Sequence, residues 1–165
     1  MAFRLIILRH GKAEKHAPTG RDVDRPLRPR GVRQAAFIAE QLEARGPRPE
    51  VICTSPAVRA LNTAQIVQRQ LGIGLHVDER LAPESSVEHH LDVIQEQAGE
   101  GVKALLIAGH NHTLSVLVAS LLAPTSRRPG ELRTGEAAVL SFPGLVGPGA
   151  GKLEVTMRLV DDEEE

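Results

Sequence analysis

The chain has 165 residues, which predicts one domain large enough to bury its own core without disulfide or metal staples. Its 20 basic and 21 acidic side chains leave a formal net charge of −1, and it carries three Phe with no Trp or Tyr. A near-neutral chain without stacking platforms is not equipped to hold nucleic acid, and its core has to be built from Leu, Ile, Val and Ala.

The predicted elements alternate along the chain. Residues 3–8 form a short apolar run that reads as a buried strand. Residues 31–45 read as a helix with Val32, Ala35, Ala36, Ala39 and Leu42 on one face, stopped by Gly46-Pro47. A second strand over 51–54 leads to a helix over 57–71, which Gly72 is placed to end. A weak strand over 75–77 follows. Ser85-Ser86-Val87-Glu88 fits a capping box, with Val87, Leu91, Ile94 and Ala98 behind it at helical spacing. The strongest strand covers 102–108, an apolar helix 113–122 and another strand 137–142. Leu153, Val155, Met157 and Leu159 alternate with polar residues, as in a half-exposed strand. This order predicts a three-layer α/β/α sandwich with a mainly parallel sheet and one antiparallel strand. The domain is expected to span residues 1–160, with 161–165 as an acidic, disordered tail.

Cys53 is the single cysteine, which excludes an intrachain disulfide and a Cys-rich zinc site. No apolar run approaches the roughly 20 residues of a transmembrane helix, and the first residues lack the pattern of a signal peptide. A cytoplasmic protein without membrane contact is the expectation.

In open α/β sheets, ligands bind beyond the carboxyl ends of the strands. There the sequence places Arg9-His10-Gly11 after the first strand, Ser55-Pro56 and Arg59 after the second, Glu84 after the third, and Gly109-His110 after the fourth. Two guanidinium forks and two imidazoles at one edge suit a tetrahedral dianion such as phosphate. Neutral imidazole is also a competent nucleophile near pH 7, and neighbouring Arg cations favour its neutral form. Charge points the same way. Residues 1–80 hold 14 basic and 8 acidic side chains, residues 81–165 hold 6 and 13, and 16 of the 20 basic residues are Arg.

Arg9-His10-Gly11, Ser55-Pro56-x-x-Arg59-Ala60-x-x-Thr63, Gly109-His110 and Asp24-Arg25-Pro26-Leu27-x-x-x-Gly31 together resemble the histidine phosphatase superfamily, the phosphoglycerate-mutase-like fold. The short length and the Arg-Pro-Leu segment look most like its small SixA-like phosphohistidine phosphatase branch. The resemblance implies His10 as the phosphorylated nucleophile, with Arg9, Arg59 and His110 completing the phosphate pocket. It puts Arg25 near the rim and makes Ser55 and Asn111 polar neighbours that help bind substrate. It implies no metal and no cofactor, since guanidinium groups supply the positive charge. Larger members use a carboxylate to protonate the leaving oxygen, and Glu84 is the positional candidate, although the SixA-like branch has no clear counterpart. The implied substrate is a phosphohistidine protein, with a small phosphate monoester, such as a sugar phosphate or nucleotide-derived ester, as the alternative.

Two other readings compete. Cys53-x-x-x-x-x-Arg59 matches the loop spacing of cysteine-dependent phosphatases, but Pro56 removes a backbone donor, no glycine is present, and Arg9, His10 and His110 would have no task. A non-catalytic phosphate-binding module would keep the fold without the reaction. His16, His76 and the adjacent His89-His90 are expected at the surface, and residues 147–152 read as a turn rather than a nucleotide loop.

Overall fold

The computed structural model describes residues 2–160, so the acidic segment 161–165 lies outside the described residues. Six strands form one sheet: β1 (Phe3–Arg9), β2 (Val51–Thr54), β3 (Gly74–Val77), β4 (Ala104–Gly109), β5 (Ala137–Phe142) and β6 (Lys152–Met157). Their order is β3-β2-β4-β1-β5-β6. β3, β2, β4 and β1 are mutually parallel, and β5 runs against both β1 and β6. The expected mainly parallel sheet with one reversed strand is the one observed.

Side-chain alternation along the strands builds two cores. Leu5, Ile7, Cys53, Leu105 and Ile107 face helices α3 (Val87–Gly99) and α4 (Thr113–Leu121), packing on Val93, Ile94, Leu117 and Leu121. Ile6, Leu8, Ile52, Leu106 and Ala108 face α1 (Pro29–Arg45) and α2 (Val58–Leu71), packing on Ile38, Leu42, Ala64 and Val67. Because both faces of β1 and β4 are covered, these strands read in sequence as unbroken apolar runs.

Several element details differ from expectation. Helix α1 starts at Pro29, whose fixed φ and missing N–H suit the first helical position, two residues before the expected start. Its buried face is carried by Gln34, Ala35, Ile38, Ala39 and Leu42, while Val32 is exposed. The N-cap of α3 is Ser86, whose Oγ accepts from the His89 N–H at 3.1 Å, while Ser85 Oγ donates to the Glu79 carbonyl. His90, expected at the surface, is buried: it lies four residues before Ile94 on the packed face, and its Nδ1 is 2.7 Å from the Ser86 carbonyl. Strand β4 begins at Ala104 rather than at residue 102, and β6 ends at Met157 rather than at Leu159. As an outer strand, β6 buries Leu153 but leaves Val155 exposed.

Candidate active site

Sheet register decides which strand-end side chains meet. Arg9 of β1 lies opposite Gly109 of β4, so the residues that follow, His10 and His110, stand beside each other with ring centroids 5.3 Å apart. On the other side of β4, Thr54 lies opposite Ala108, which brings Ser55 to His110. Arg59 enters from the first turn of α2. Arg9, His10, Arg25, Arg59, His110 and Asn111 line one hollow of about 280 Å³. All six are candidates named from the sequence, and the structure brings them to this one hollow.

His10 is buried, and its Nδ1 is 2.7 Å from the Gly11 carbonyl. A carbonyl only accepts, so Nδ1 carries the proton and Nε2 keeps a free lone pair. Burial pushes the His10 pKa down to about 4, against the Gly11 hydrogen bond and with help from Arg59, Arg9 and Arg25. The ring is therefore neutral at pH 7, as a nucleophile requires. His110 is pushed lower, to about 3, by burial and then by His10 and Arg59. Ser55 Oγ accepts the Ala57 N–H at 3.1 Å and lies 2.8 Å from His110 Nε2. When the Ser55 hydroxyl donates to Nε2, the His110 proton sits on Nδ1, where it can act as a donor. Ser55 is completely buried behind His110, so its contact is with His110 rather than with the hollow.

Arg9 Nη1 donates to the Leu132 carbonyl at 3.0 Å. Arg59 donates to the Asp22 carbonyl at 3.1 Å and to its carboxylate at 3.2 Å. Arg9 Nε, Arg59 Nε and His110 Nδ1 are buried nitrogens without a protein partner. Buried donors are normally satisfied, and these three belong to residues that line the hollow with His10, a set chemically matched to the oxygens of an anion.

Asp22 was not singled out from sequence. It sits on a 3₁₀ turn (Asp22–Asp24), where Oδ1 accepts from Arg25 Nε at 2.9 Å and Oδ2 from Arg59 Nη2. Its slight burial raises the carboxyl pKa, but Arg59 and Arg25 outweigh this and hold it below the usual carboxylate range. The Asp22–Arg25 spacing of three residues was the available local signal. The link to Arg59, far along the chain, had none.

The glycines and Thr63 of the motifs have a structural task. A Cβ on Gly11 would stand 2.6 Å from the Gly31 carbonyl oxygen, and one on Gly31 only 2.2 Å from that of Lys12. The loop after β1 therefore crosses the start of α1 at backbone contact, which only glycine permits. Thr63 Oγ1 accepts the Gly11 N–H at 3.0 Å and donates to the Arg59 carbonyl at 2.7 Å, tying the His10 loop to helix α2.

The remaining candidates fall outside this cluster or are committed elsewhere. Glu84 is exposed, does not line the hollow, and has no hydrogen bond or ion pair among the described residues. Asn111 reaches the wall, but its amide is spent on Ser115 N–H at 3.1 Å and the Leu132 carbonyl at 3.1 Å. Arg25 is at the rim, anchored to the Glu14 carbonyl at 2.8 Å and to Asp22. Cys53 is 2% exposed in the core facing α3 and α4, and burial pushes its thiol up to about 11. It is a packing residue, so the cysteine-phosphatase reading fails on geometry. Among the described residues, no three His, Cys, Asp or Glu side chains gather where they could hold a metal ion. No helix among them is long and apolar enough to cross a membrane.

The family model of the histidine phosphatase superfamily (branch 1) matches residues 5–83. The structure of the protein histidine phosphatase SixA complexed with tungstate is similar to this chain at TM-score 0.81 and 27% identity, covering 94% of this chain and 97% of that one. A SixA described as a putative phosphohistidine phosphatase, from Nakamurella multipartitia, is similar at TM-score 0.80 and 25% identity, covering 98% of each chain. An uncharacterised chloroplastic protein of Arabidopsis thaliana is 30% identical over 92% of this chain and 75% of its own length. The chain belongs to the histidine phosphatase superfamily, and at that level it is a phosphatase.

Proposed function

We propose that the chain hydrolyses the phosphohistidine of a phosphorylated protein through a phosphohistidine intermediate of its own on His10. The observation that carries this reading is the His10 ring: its Nδ1 proton is fixed on Gly11, and it is neutral in a hollow shared with Arg9, Arg59 and His110, each of which has a buried nitrogen without a protein partner. Nε2 attacks phosphorus, the P–Nε2 bond forms, and the bond to the leaving imidazole breaks. Arg9, Arg59 and His110 Nδ1–H stabilise the equatorial oxygens, which is where most catalysis of phosphoryl transfer lies. The retained Nδ1–H then makes phospho-His10 a good leaving group. Water attacks, the P–N bond breaks, and phosphate departs as His10 returns to the neutral form.

The leaving group favours phosphohistidine over a phosphate ester. An imidazole departs without a strong general acid, whereas an alkoxide needs one. The carboxylate nearest the arginines, Asp22, is held ionised, and Glu84 lies outside the hollow. Two of the connections that carry the site are short, since only residues 55–57 link β2 to α2 and residues 110–112 link β4 to α4. On those two sides the hollow is open to a substrate as bulky as a protein surface, while the longer loop 10–28 borders it on the side of Arg25.

The test is a rapid quench into alkali, where phosphohistidine survives, followed by mapping of the labelled peptide. Label is expected on His10, absent from His10→Ala, and retained in Cys53→Ser with near-normal turnover. A turnover panel should favour the phosphohistidine protein over small phosphomonoesters. Rapid turnover of one small ester with none of the phosphoprotein would overturn the substrate reading, and normal turnover by His10→Ala would overturn the mechanism.

A further inference from the structure

Beside the phosphate pocket lies a second hollow of about 170 Å³, lined by Lys15, His16, Arg21, Asp22 and Arg25. Arg25 lines both hollows, so they adjoin. The second is built entirely from the loop between β1 and α1, and that loop is ordered by its own hydrogen bonds. Glu14 N–H donates to the Pro26 carbonyl at 2.8 Å, Arg28 N–H to the Lys12 carbonyl at 2.8 Å, and Gly20 N–H to the Ala17 carbonyl at 2.9 Å. Gly20 turns the chain there at φ +79°, a conformation that favours glycine.

The charges of this loop are distributed unevenly. Each acid is engaged within it or with the pocket: Glu14 faces Arg28 at 3.9 Å, Asp24 accepts from Thr19 Oγ1 at 2.7 Å, and both Asp22 oxygens are taken by Arg25 and Arg59. The side chains of Lys15, His16 and Arg21 have no hydrogen bond or ion pair with any described residue. A loop whose acids are each engaged, while Lys15 and Arg21 are left unpaired around a hollow, is arranged for an anion.

We infer that this hollow, through Lys15 and Arg21, binds a second anionic group of the substrate next to the phosphoryl group and so sets substrate selectivity. The inference rests on the phosphatase reading of the adjoining pocket and names the substrate chemistry that reading leaves open. The anion has two sources: an acidic side chain flanking the phosphohistidine of a protein, or a second carboxylate on a small ester. Asp22 also borders the hollow, but it is neutralised by its arginines, and the lining keeps an excess of positive charge.

The experiment compares the wild-type chain with the double variant Lys15→Ala/Arg21→Ala on three probe pairs. These are phenyl phosphate against ortho-, meta- and para-carboxyphenyl phosphates, and phosphohistidine peptides flanked by acidic residues against the same peptides flanked by neutral ones. The third pair is inhibition by inorganic phosphate against inhibition by phosphonoacetate, which adds a carboxylate. The double variant should raise KM, or the inhibition constant, for anion-bearing probes by about five- to tenfold, as expected for two partly exposed ion pairs. The value of kcat and the turnover of phenyl phosphate should not change. A response confined to the peptides assigns the anion to a protein, and one confined to the carboxyphenyl esters assigns it to a small molecule. Equal shifts for charged and uncharged probes, or no shift for either, overturn the inference. Alkaline trapping on His10 runs in parallel: phosphoenzyme without charge selectivity sinks the second site alone, and no phosphoenzyme with any probe sinks both readings.

Discussion

The floor of the pocket and its lip are built on opposite principles. On the floor, His10, Arg59 and His110 are each less than 10% exposed, and each is fixed by its strand end, its helix turn or a buried hydrogen bond. On the lip, the side chains of Lys15 and Arg21 are exposed and have no hydrogen bond or ion pair with any described residue, on a loop held by backbone hydrogen bonds and by Arg25, Arg59 and Thr19. A rigid, desolvated floor strengthens electrostatic stabilisation of a transition state, whereas an exposed lip contributes weak and screened attraction. Changes to the floor should therefore appear in kcat, and changes to the lip in KM.

The largest expected effect on that contrast is at Arg59. Lysine keeps the charge but loses the fork, and it cannot hold the Asp22 carbonyl and carboxylate as two separate donors do. Arg59→Lys should lower kcat by roughly a hundred- to thousandfold, the cost of removing one preorganised donor to a developing charge. Steady-state kinetics beside a melting curve checks this. A rise in KM with kcat intact would mean that Arg59 belongs functionally with the lip.

The floor should also reveal itself through pH. His10 and His110 have native pKa values pushed below the ordinary 6.5 by burial, to about 4 and about 3. The unfolded chain then binds more protons than the native one as pH falls below 6.5. Stability contributed by the neutral rings is complete above pH 6.5 and is lost progressively towards pH 4, by roughly 3 kcal/mol for a shift of His10's size. The dependence of Tm on pH between 7 and 4 should be steep in the wild-type chain and flatter in His10→Gln/His110→Gln. Parallel slopes would show that these rings are not desolvated as described.

The floor was legible in the sequence because topology does the sorting. Apolar runs marked β1, β2 and β4, and the residues just past them had to meet at one edge once the sheet was parallel. Arg9, His10 and His110 follow from that rule, and Arg59 follows from the first turn of the helix after β2. Where the answer depended on packing between distant segments, the sequence was silent. The crossing of Gly11 over Gly31 is a tertiary fact that the motif glycines hint at but do not define. His90 was misplaced because its polar side chain hid its position on the buried face of α3. Ser55 was placed at the site, but its side chain supports His110 from behind, a distinction set by strand register alone.

Asp22 stands on the boundary between floor and lip, and its effect should be the smallest. Its carboxylate pairs with Arg25 and with Arg59, which the proposed function also gives to the phosphoryl group, yet its side chain is 63% exposed, so that competition is screened. Exposed pairs of this kind are worth about 0.2–1 kcal/mol, which corresponds to an affinity change of up to about fivefold. Asp22→Asn should therefore tighten inhibition by inorganic phosphate and lower KM within that range while leaving kcat near its wild-type value. Inhibition measured in low and high salt checks the cause, because the gain should shrink as salt screens the carboxylate in the wild-type chain. A large fall in kcat with unchanged phosphate affinity would reverse the assignment. Asp22 would then be acting on the leaving group from the floor, and the preference for a substrate that departs without an acid would have to be given up with it.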